Sequence, residues 1–168
     1  GEFMAQVMLG GNPVQTNGEL PKLGEACPSL LFIKNDLSEL NVKELHGKRV
    51  ILNLFPSIDT PTCSKSVKTF NEKASATTNT VILCVSADLP FAQKRFCSSE
   101  GIENVMTVST FRDPSALDRL GIRLTTGKLI DLAARAVIVL DEQGKVIHSE
   151  LVGEIANEPN YQSALSVL

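Results

Sequence analysis

Cys63 has the sequence setting of a reactive thiol. Thr60 and Pro61 shortly before it predict the start of a helix, because threonine is a good N-cap and proline is tolerated at the first helical position. Cys63 then lies in the first turn, where the backbone amides have no partners within the helix and carry the positive end of its dipole. That environment stabilises a thiolate, the form in which cysteine acts as a nucleophile.

The charges near Cys63 mostly support this interpretation. Lys65 and Lys68 follow it, and both favour an anion at the thiol. No carboxylate occurs between positions 60 and 71, although Asp59, just before the cap, opposes the anion slightly.

The same cysteine also has a purely structural interpretation. Val67, Phe70 and Ala74 follow it at spacings of four, three and four residues, which places Cys63 on the apolar face of the helix. Cysteine is among the most frequently buried residues, and a single cysteine on such a face is usually part of the core. The helix pattern by itself therefore favours a core residue, and the surrounding motif has to be considered.

That motif is Pro-Ser-Ile-Asp-Thr-Pro-Thr-Cys over residues 56–63, at a predicted break between a strand and a helix. It resembles the peroxidatic-cysteine motif of the peroxiredoxins. With the preceding phenylalanine, it is similar to one subfamily in particular, the thiol peroxidases, which are atypical two-cysteine peroxiredoxins. The resemblance continues through residues 86–97 and 132–137 and covers the chain from about residue 12 to its end. It implies a thioredoxin-like fold and an enzyme that needs no cofactor or metal.

The activity implied by the resemblance is reduction of a hydroperoxide. The Cys63 thiolate would attack a peroxide oxygen and become a sulfenic acid as the O–O bond breaks. The family places an arginine in the context Ala-Ala-Arg-Ala beside this thiolate, which implies that role for Arg135. It likewise implies that the Thr60 hydroxyl orients the peroxide and that Pro56 shields the thiolate from water. Each also has an ordinary interpretation: a solvated edge charge, a helix N-cap and a loop breaker, respectively.

Cys97 is the candidate resolving cysteine. Its position late in a predicted second helix is equally typical of a small core residue, but the family match places it at the resolving position of the thiol peroxidases. The resemblance thus implies an intramolecular Cys63–Cys97 disulfide. If the two Cα atoms lie more than about 7 Å apart in the reduced protein, that bond requires a rearrangement. We expect local unwinding around both cysteines.

The other thiols and the histidines receive no catalytic role. Cys84 lies within an apolar run and is expected to be inert core, and Cys27 has no assigned role. His46 and His148 are expected at surface or strand positions. With no Cys-x-x-Cys pair and only two histidines, the sequence contains no convincing zinc set.

The resemblance also implies partners. Thioredoxin is the expected reductant, a homodimer is the expected assembly, and hydroperoxides are the expected substrates. The identity of the physiological reductant and the preferred hydroperoxide stay open at this stage.

The elements needed to position these residues alternate between strands and helices. Two turn signals in residues 5–22 predict an N-terminal hairpin. Strands are predicted at 30–33, 50–55, 80–86, 105–108, 135–140 and 146–152. Helices are predicted at 60–76, 91–99 (started by Asp88 and Pro90), 114–120 (capped by Asp113 and ended by Gly121) and 161–168. This order predicts an α/β, thioredoxin-like fold with a central mixed sheet flanked by helices.

Composition limits the remaining possibilities. The 168 residues are 43% hydrophobic, enough for one domain with a substantial core. A net charge of −3 without a basic run argues against nucleic-acid binding and a membrane-surface role, and the apolar runs are too short to cross a bilayer. Residues 1–3 are interpreted as an expression scar before Met4, and residues 4–168 as one domain. With no apparent leader, a cytoplasmic location is expected, where four cysteines suggest redox chemistry.

Two other functions stay open. A thioredoxin-like disulfide oxidoreductase is disfavoured by the lack of Cys-x-x-Cys. A non-enzymatic redox sensor or holdase would use oxidation of Cys63 to change partner binding. Repeated turnover with peroxide distinguishes an enzyme from a sensor, which would stop after one equivalent.

Overall fold

A computed structural model describes residues 4–168, and the three residues interpreted as an expression scar lie outside this range. The fold is a seven-stranded mixed sheet with helices on both faces and a separate two-stranded hairpin, as predicted. In chain order the strands and helices are β1 (Gln6–Leu9), β2 (Asn12–Gln15), β3 (Leu31–Lys34), β4 (Glu39–Asn41), β5 (Arg49–Leu54), α1 (Pro61–Lys73), β6 (Thr80–Ser86), α2 (Pro90–Glu100), β7 (Met106–Ser109), α3 (Ser115–Arg119), β8 (Ala136–Leu140), β9 (Val146–Leu151) and α4 (Tyr161–Leu165).

The strand order of the large sheet is β4-β3-β7-β6-β5-β8-β9. The central strands β5, β6 and β7 run parallel, because α1 and α2 return the chain across the sheet between them. On the other side of β5, β8 pairs antiparallel, with Ala136 opposite Leu54. The ends of β5 and β6 and the start of β8 therefore meet at one edge of the sheet, which is where the loops that precede α1, α2 and β8 come together.

The two faces of the sheet carry separate cores. On one face, the strands pack against α1, α2 and α4 through buried side chains that include Val67, Phe70 and Phe96. On the other face, α3 covers the sheet with Ala116 and Leu117. Because β5, β6 and β8 are buried on both sides, their near-continuous apolar sequences are those of central strands.

The N-terminal hairpin packs on the segment that follows β9. Met8 donates to Gly153 O at 2.7 Å and accepts from Ile155 N at 2.8 Å. The Glu154 carboxylate accepts from the backbone amides of Gly10 and Gly11 at 3.1 and 2.8 Å. A bond from the Ala156 amide, together with these two, holds the pKa of Glu154 below its ordinary value. The hairpin is thus attached to the part of the chain that leads into α4.

The predictions missed two short elements and were wrong about one helix end and one helix cap. The short strand β4 and a 3₁₀ turn at Val42–Leu45 were not predicted, since three-residue pieces carry too little periodicity to detect. The last helix ends at Leu165 rather than at residue 168. Asp113 was predicted to cap α3, but its carboxylate accepts from Arg119 instead, at 2.5 Å. Asp113 thus forms an ion pair with Arg119, the last residue of α3, and makes no side-chain cap.

None of the helices within residues 4–168 is both long and apolar enough to span a bilayer.

Gly121, predicted to end α3, adopts φ +72° directly after the helix. A Cβ atom at this position would lie 2.1 Å from the backbone oxygen of Glu19, whereas a Cβ on Gly101 (φ +65°) would meet open space. We expect Gly121→Ala to lower the free energy of unfolding by about 2–5 kcal/mol, combining backbone strain with overpacking. Gly101→Ala, with strain alone, should cost about 1–2 kcal/mol. Denaturant titration of both variants measures the difference, and equal losses would contradict the close approach of Glu19.

Candidate active site

Cys63 is buried in the first turn of α1, with 1% of its surface exposed. The preceding strand β5 ends at Leu54, and a loop of six residues carries the chain to Pro61, the first residue of the helix. Thr60 has the extended backbone of an N-cap residue, at φ −92° and ψ 147°. The thiol is therefore located where the helix dipole favours a negative charge.

Arg135 is the charged group nearest to this thiol in the hydrogen-bond network. Its Nη2 donates to Cys63 Sγ at 3.3 Å, and its Nε donates to Ile155 O at 2.8 Å. The side chain is only 1% exposed, so the interpretation of Arg135 as a solvated edge charge was wrong. The third nitrogen, Nη1, is buried and has no hydrogen-bond partner within residues 4–168. The guanidinium thus faces the sulfur while one N–H group stays available as a donor.

The sheet explains why two residues so distant in sequence meet. Arg135 directly precedes β8, and Ala136 pairs with Leu54 at the end of β5. The β5–α1 loop begins one residue later, so the arginine and the loop share one edge of the sheet. Ile155 then orients the guanidinium from the opposite side.

Thr60 and Pro56 lie in the same loop, which connects β5 to α1. The Thr60 hydroxyl donates to Ser57 O at 3.0 Å, so the predicted side-chain cap on the first turn was wrong. Since this bond uses the only hydroxyl proton, the oxygen retains its capacity to accept. Pro56 is buried immediately after Phe55, itself fully buried, and forms part of the apolar wall at the end of β5.

The lysines expected to favour a thiolate are largely neutralised by ion pairs. Lys65 lies 3.3 Å from Glu158, and Lys68 lies 3.1 Å from Glu100. Both pairs are partly solvent-exposed, which weakens their effect further. A hydrogen bond from Tyr161, together with Lys65 and the charge of Arg135, lowers the pKa of Glu158. Arg135 is therefore the main cationic influence on the thiol.

Two buried polar residues, one in α1 and one in β5, also fix the position of Cys63. The Ser66 hydroxyl, fully buried, donates to Cys63 O at 2.7 Å and accepts from Asn53 Nδ2 at 3.1 Å. Asn53 is part of β5, so this pair attaches the first turn of the helix directly to the sheet. Thr62 adds a bond to Ala156 O at 2.9 Å.

Cys97 lies in α2, in a different hydrogen-bond network from Cys63. Its Sγ is 3.2 Å from the Thr107 hydroxyl and 3.8 Å from Asn35 Nδ2. Thr107 donates to Asn35 Oδ1 at 3.0 Å, so its single proton is used and the Cys97 thiol must be the donor to Thr107. Cys97 therefore lies over β7, beside a surface cavity of about 300 Å³ that it helps to line.

The remaining thiols are in less reactive environments. Burial raises the pKa of Cys84 to about 12 and that of Cys27 to about 11, which disfavours their thiolates at neutral pH. All four cysteines are free thiols in the described part of the chain, so the structure is that of the reduced protein. His46 is exposed in the turn before β5 and His148 lies on β9, at positions of the types expected.

Sequence reasoning missed several residues that shape this site: Asn53, Ser66, Asp88 and Ile155. Asp88 was assigned to the start of α2, yet its carboxylate binds the loop before Cys63. A signal for it existed, because the loops that follow adjacent parallel strands lie side by side. Ile155 contributes only a backbone carbonyl, which its side chain does not reveal.

Comparisons with known proteins agree with this geometry. The family model described as Redoxin matches residues 22–165. The chain is 50% identical over 165 residues to proteins named thiol peroxidase from Mycobacterium tuberculosis and Mycobacterium bovis, covering 98% of this chain and 99% of theirs. Its structure is similar to that of a peroxiredoxin-like protein from Aquifex aeolicus, with a TM-score of 0.91, 39% identity and coverage of 98% and 96%. A thiol peroxidase from Chromobacterium violaceum shares the fold at 17% identity, with a TM-score of 0.86 and coverage of 96% and 94%.

Proposed function

Because the chain belongs to the Redoxin family and, within it, to the thiol peroxidases, we propose that it reduces hydrogen peroxide and organic hydroperoxides through the Cys63 thiolate. The observation that carries the proposal is the buried guanidinium of Arg135, whose Nη2 lies 3.3 Å from the sulfur. A buried cation beside a thiol at a helix N-terminus favours a nucleophilic thiolate.

In the first step, the Cys63 thiolate attacks one oxygen of the hydroperoxide. An S–O bond forms, the O–O bond breaks, and two electrons pass from sulfur to the peroxide. Cys63 becomes a sulfenic acid, and the departing oxygen takes up a proton to leave as water or an alcohol. Pro56, which is buried within the β5–α1 loop, would keep water from the sulfur.

Thiolate formation alone would not make this reaction fast. For cysteines in general, lowering the pKa from about 8.5 to about 6 raises the thiolate fraction roughly thirtyfold at neutral pH. The weaker nucleophilicity of the more stable thiolate reverses about tenfold of that gain. Most of the acceleration must therefore come from donors directed at the leaving oxygen as charge develops on it.

Arg135 and Thr60 have the bonding capacity for that task. Nη1 of Arg135 is a buried donor without a protein partner in the described chain, so it can donate to a peroxide oxygen. The Thr60 hydroxyl already donates to Ser57, so it can accept from the O–H of the hydroperoxide. The two groups would hold the peroxide from opposite ends.

In the second step, we propose that Cys97 resolves the sulfenic acid. The Cys97 thiol attacks the sulfur of Cys63, a disulfide forms, and hydroxide leaves as water with the thiol proton. A dithiol of the thioredoxin type then returns two electrons and two protons. We further propose that the enzyme is a homodimer and that it is located in the cytoplasm, whose reducing conditions keep four thiols free.

Cys97→Ser tests the resolving role. This variant should consume one equivalent of peroxide at the normal rate and then stop, because the sulfenic acid has no intramolecular partner. The measurement combines peroxide consumption with NADPH oxidation by thioredoxin reductase and thioredoxin. Cys84→Ser, which removes a buried thiol from the same face of the sheet, should continue through many turnovers. Full turnover by Cys97→Ser would show that another group resolves Cys63.

A further inference from the structure

Asp88 connects the loop before Cys63 to the start of the helix that carries Cys97. Its carboxylate accepts from the Ser57 hydroxyl at 2.8 Å, from the Ile58 amide at 2.7 Å and from the Ser86 hydroxyl at 2.5 Å. Two of these donors lie in the β5–α1 loop, and the third ends β6. One side chain therefore joins two loops that are far apart in sequence but adjacent at the edge of the sheet.

The other side of this connection is equally well fixed. Asp88 lies two residues before Pro90, the first residue of α2. Gln93, fully buried in the first turns of that helix, donates to the Ser86 hydroxyl at 3.1 Å and to Val108 O at 2.9 Å. Ser86 thus links Asp88 to Gln93 of α2, and the loop cannot move away without breaking its two bonds to Asp88.

The strand register indicates how far apart Cys63 and Cys97 are anchored. Asn53 of β5, Cys84 of β6 and Thr107 of β7 are register partners across the sheet. Cys63 is attached to Asn53 through Ser66, and the Cys97 sulfur contacts Thr107. Two strand spacings separate the two anchor residues by about 9–10 Å, whereas a disulfide brings its own Cα atoms to within about 7 Å, so we expect formation of the bond to require movement of the loop.

We propose that Asp88 is a positioning residue that sets the balance between the two chemical steps. While its three bonds are intact, the loop holds Cys63 against Arg135, which favours attack on peroxide. Releasing the loop exposes Cys63 to Cys97 and favours the disulfide. This inference rests on the proposed Cys63–Cys97 disulfide, and it assigns a role to a residue that touches neither sulfur.

The decisive variant is Asp88→Asn. The amide is the same size, but its NH₂ group replaces one acceptor and its charge is absent, so all the bonds lose their charge assistance and the Ser57 hydroxyl has to turn from donor to acceptor to keep its bond. We expect the second-order rate constant for oxidation of Cys63 by hydrogen peroxide to fall about tenfold. The first-order rate constant for disulfide formation should rise at least threefold. Sulfinic acid formed per turnover at high peroxide should fall, because the sulfenic acid has less time to react again.

Ser57→Ala provides an independent variant that removes one bond to Asp88 and leaves the carboxylate in place. It should shift both rate constants in the same directions by smaller factors. If Asp88→Asn fails to fold, Ser57→Ala tests the proposal in its place. The matched control is Asp141→Asn, whose carboxylate accepts from two backbone amides in the β8–β9 turn. That variant should leave both rate constants unchanged.

Both steps can be followed in one rapid-quench experiment on the full chain. Dimedone traps the sulfenic acid, an alkylating agent blocks free thiols, and mass spectrometry counts each species over time. Opposite shifts of the two rate constants in Asp88→Asn and Ser57→Ala, with neither shift in Asp141→Asn, support the proposal. A disulfide that forms at an unchanged or lower rate in both variants overturns it while leaving the proposed function intact. If the unsubstituted protein forms no Cys63–Cys97 disulfide, the proposed resolving step is wrong and the role of Asp88 falls with it.

Discussion

Replacing Cys63 by serine is expected to reduce peroxide consumption to the uncatalysed rate, a loss of at least about 10³-fold in kcat/KM. A serine hydroxyl at this position is not ionised at neutral pH, so neither the helix dipole nor Arg135 can convert it into a comparable nucleophile. Cys27 and Cys84 cannot replace it, because burial raises the pKa of both thiols. Hydrogen peroxide loss in the coupled thioredoxin assay is the appropriate measurement.

Cys27→Ser is the matched control for this substitution. Cys27 is half-buried and lies in a cavity formed with the turn between β8 and β9, away from Arg135. Removing it should leave kcat/KM within about twofold, since it touches none of the residues around Cys63. Residual turnover by Cys63→Ser well above background would show that the peroxide reacts elsewhere.

Arg135→Lys should produce the second largest loss, about 10²–10³-fold in kcat/KM for hydrogen peroxide. The substitution keeps the positive charge but replaces a planar group with three nitrogens by a single ammonium. One nitrogen cannot at once bind Ile155 O, contact Cys63 Sγ and donate to the leaving oxygen. Stopped-flow measurement of Cys63 oxidation gives the rate, and alkylation of Cys63 by iodoacetamide at pH 7 reports separately on the thiolate.

The comparison of the two assays separates charge from geometry. We expect alkylation to change much less than peroxide reduction, because the charge is kept while the donors for the leaving oxygen are lost. Arg112→Lys, at an exposed ion pair with Glu39, controls for the chemical change itself. Equal losses in both assays would mean that Arg135 acts only through the thiolate, contrary to the proposed mechanism.

The fold could be predicted largely from the sequence because its central elements are buried on both faces. The predicted strands 50–55, 80–86 and 135–140 are mostly apolar runs, and they correspond to β5, β6 and β8 with shifts of at most one residue at either end. The start of α1 was predicted from Thr60 and Pro61, because the signals for a helix start are local in the sequence. Local patterns locate elements well where packing and propensity agree.

The connections between elements were not predictable in this way. Thr60 was expected to cap α1 through its hydroxyl, but Ser57 O competes for that group. Asp88 was assigned to its own helix, but the nearest donors belong to the adjacent loop. For Asp88, the choice of hydrogen-bond partner depends on which loops the sheet brings together, and this requires the strand order rather than the local sequence. For Thr60, the competing acceptor lies three residues back in the same loop, so the choice depends on how that loop folds.

The orientation of Arg135 by the Ile155 carbonyl has a consequence for synthesis of the protein on the ribosome. When Cys63 and Arg135 have already left the ribosome, the growing chain still lacks the Ile155 carbonyl that orients the guanidinium. It also lacks Ala156, whose carbonyl accepts from Thr62. The nascent polypeptide therefore carries an incompletely assembled thiol centre until residues 155 and 156 have been synthesised. Reactivity toward oxidants should appear when these residues leave the exit tunnel, rather than when the cysteine itself does.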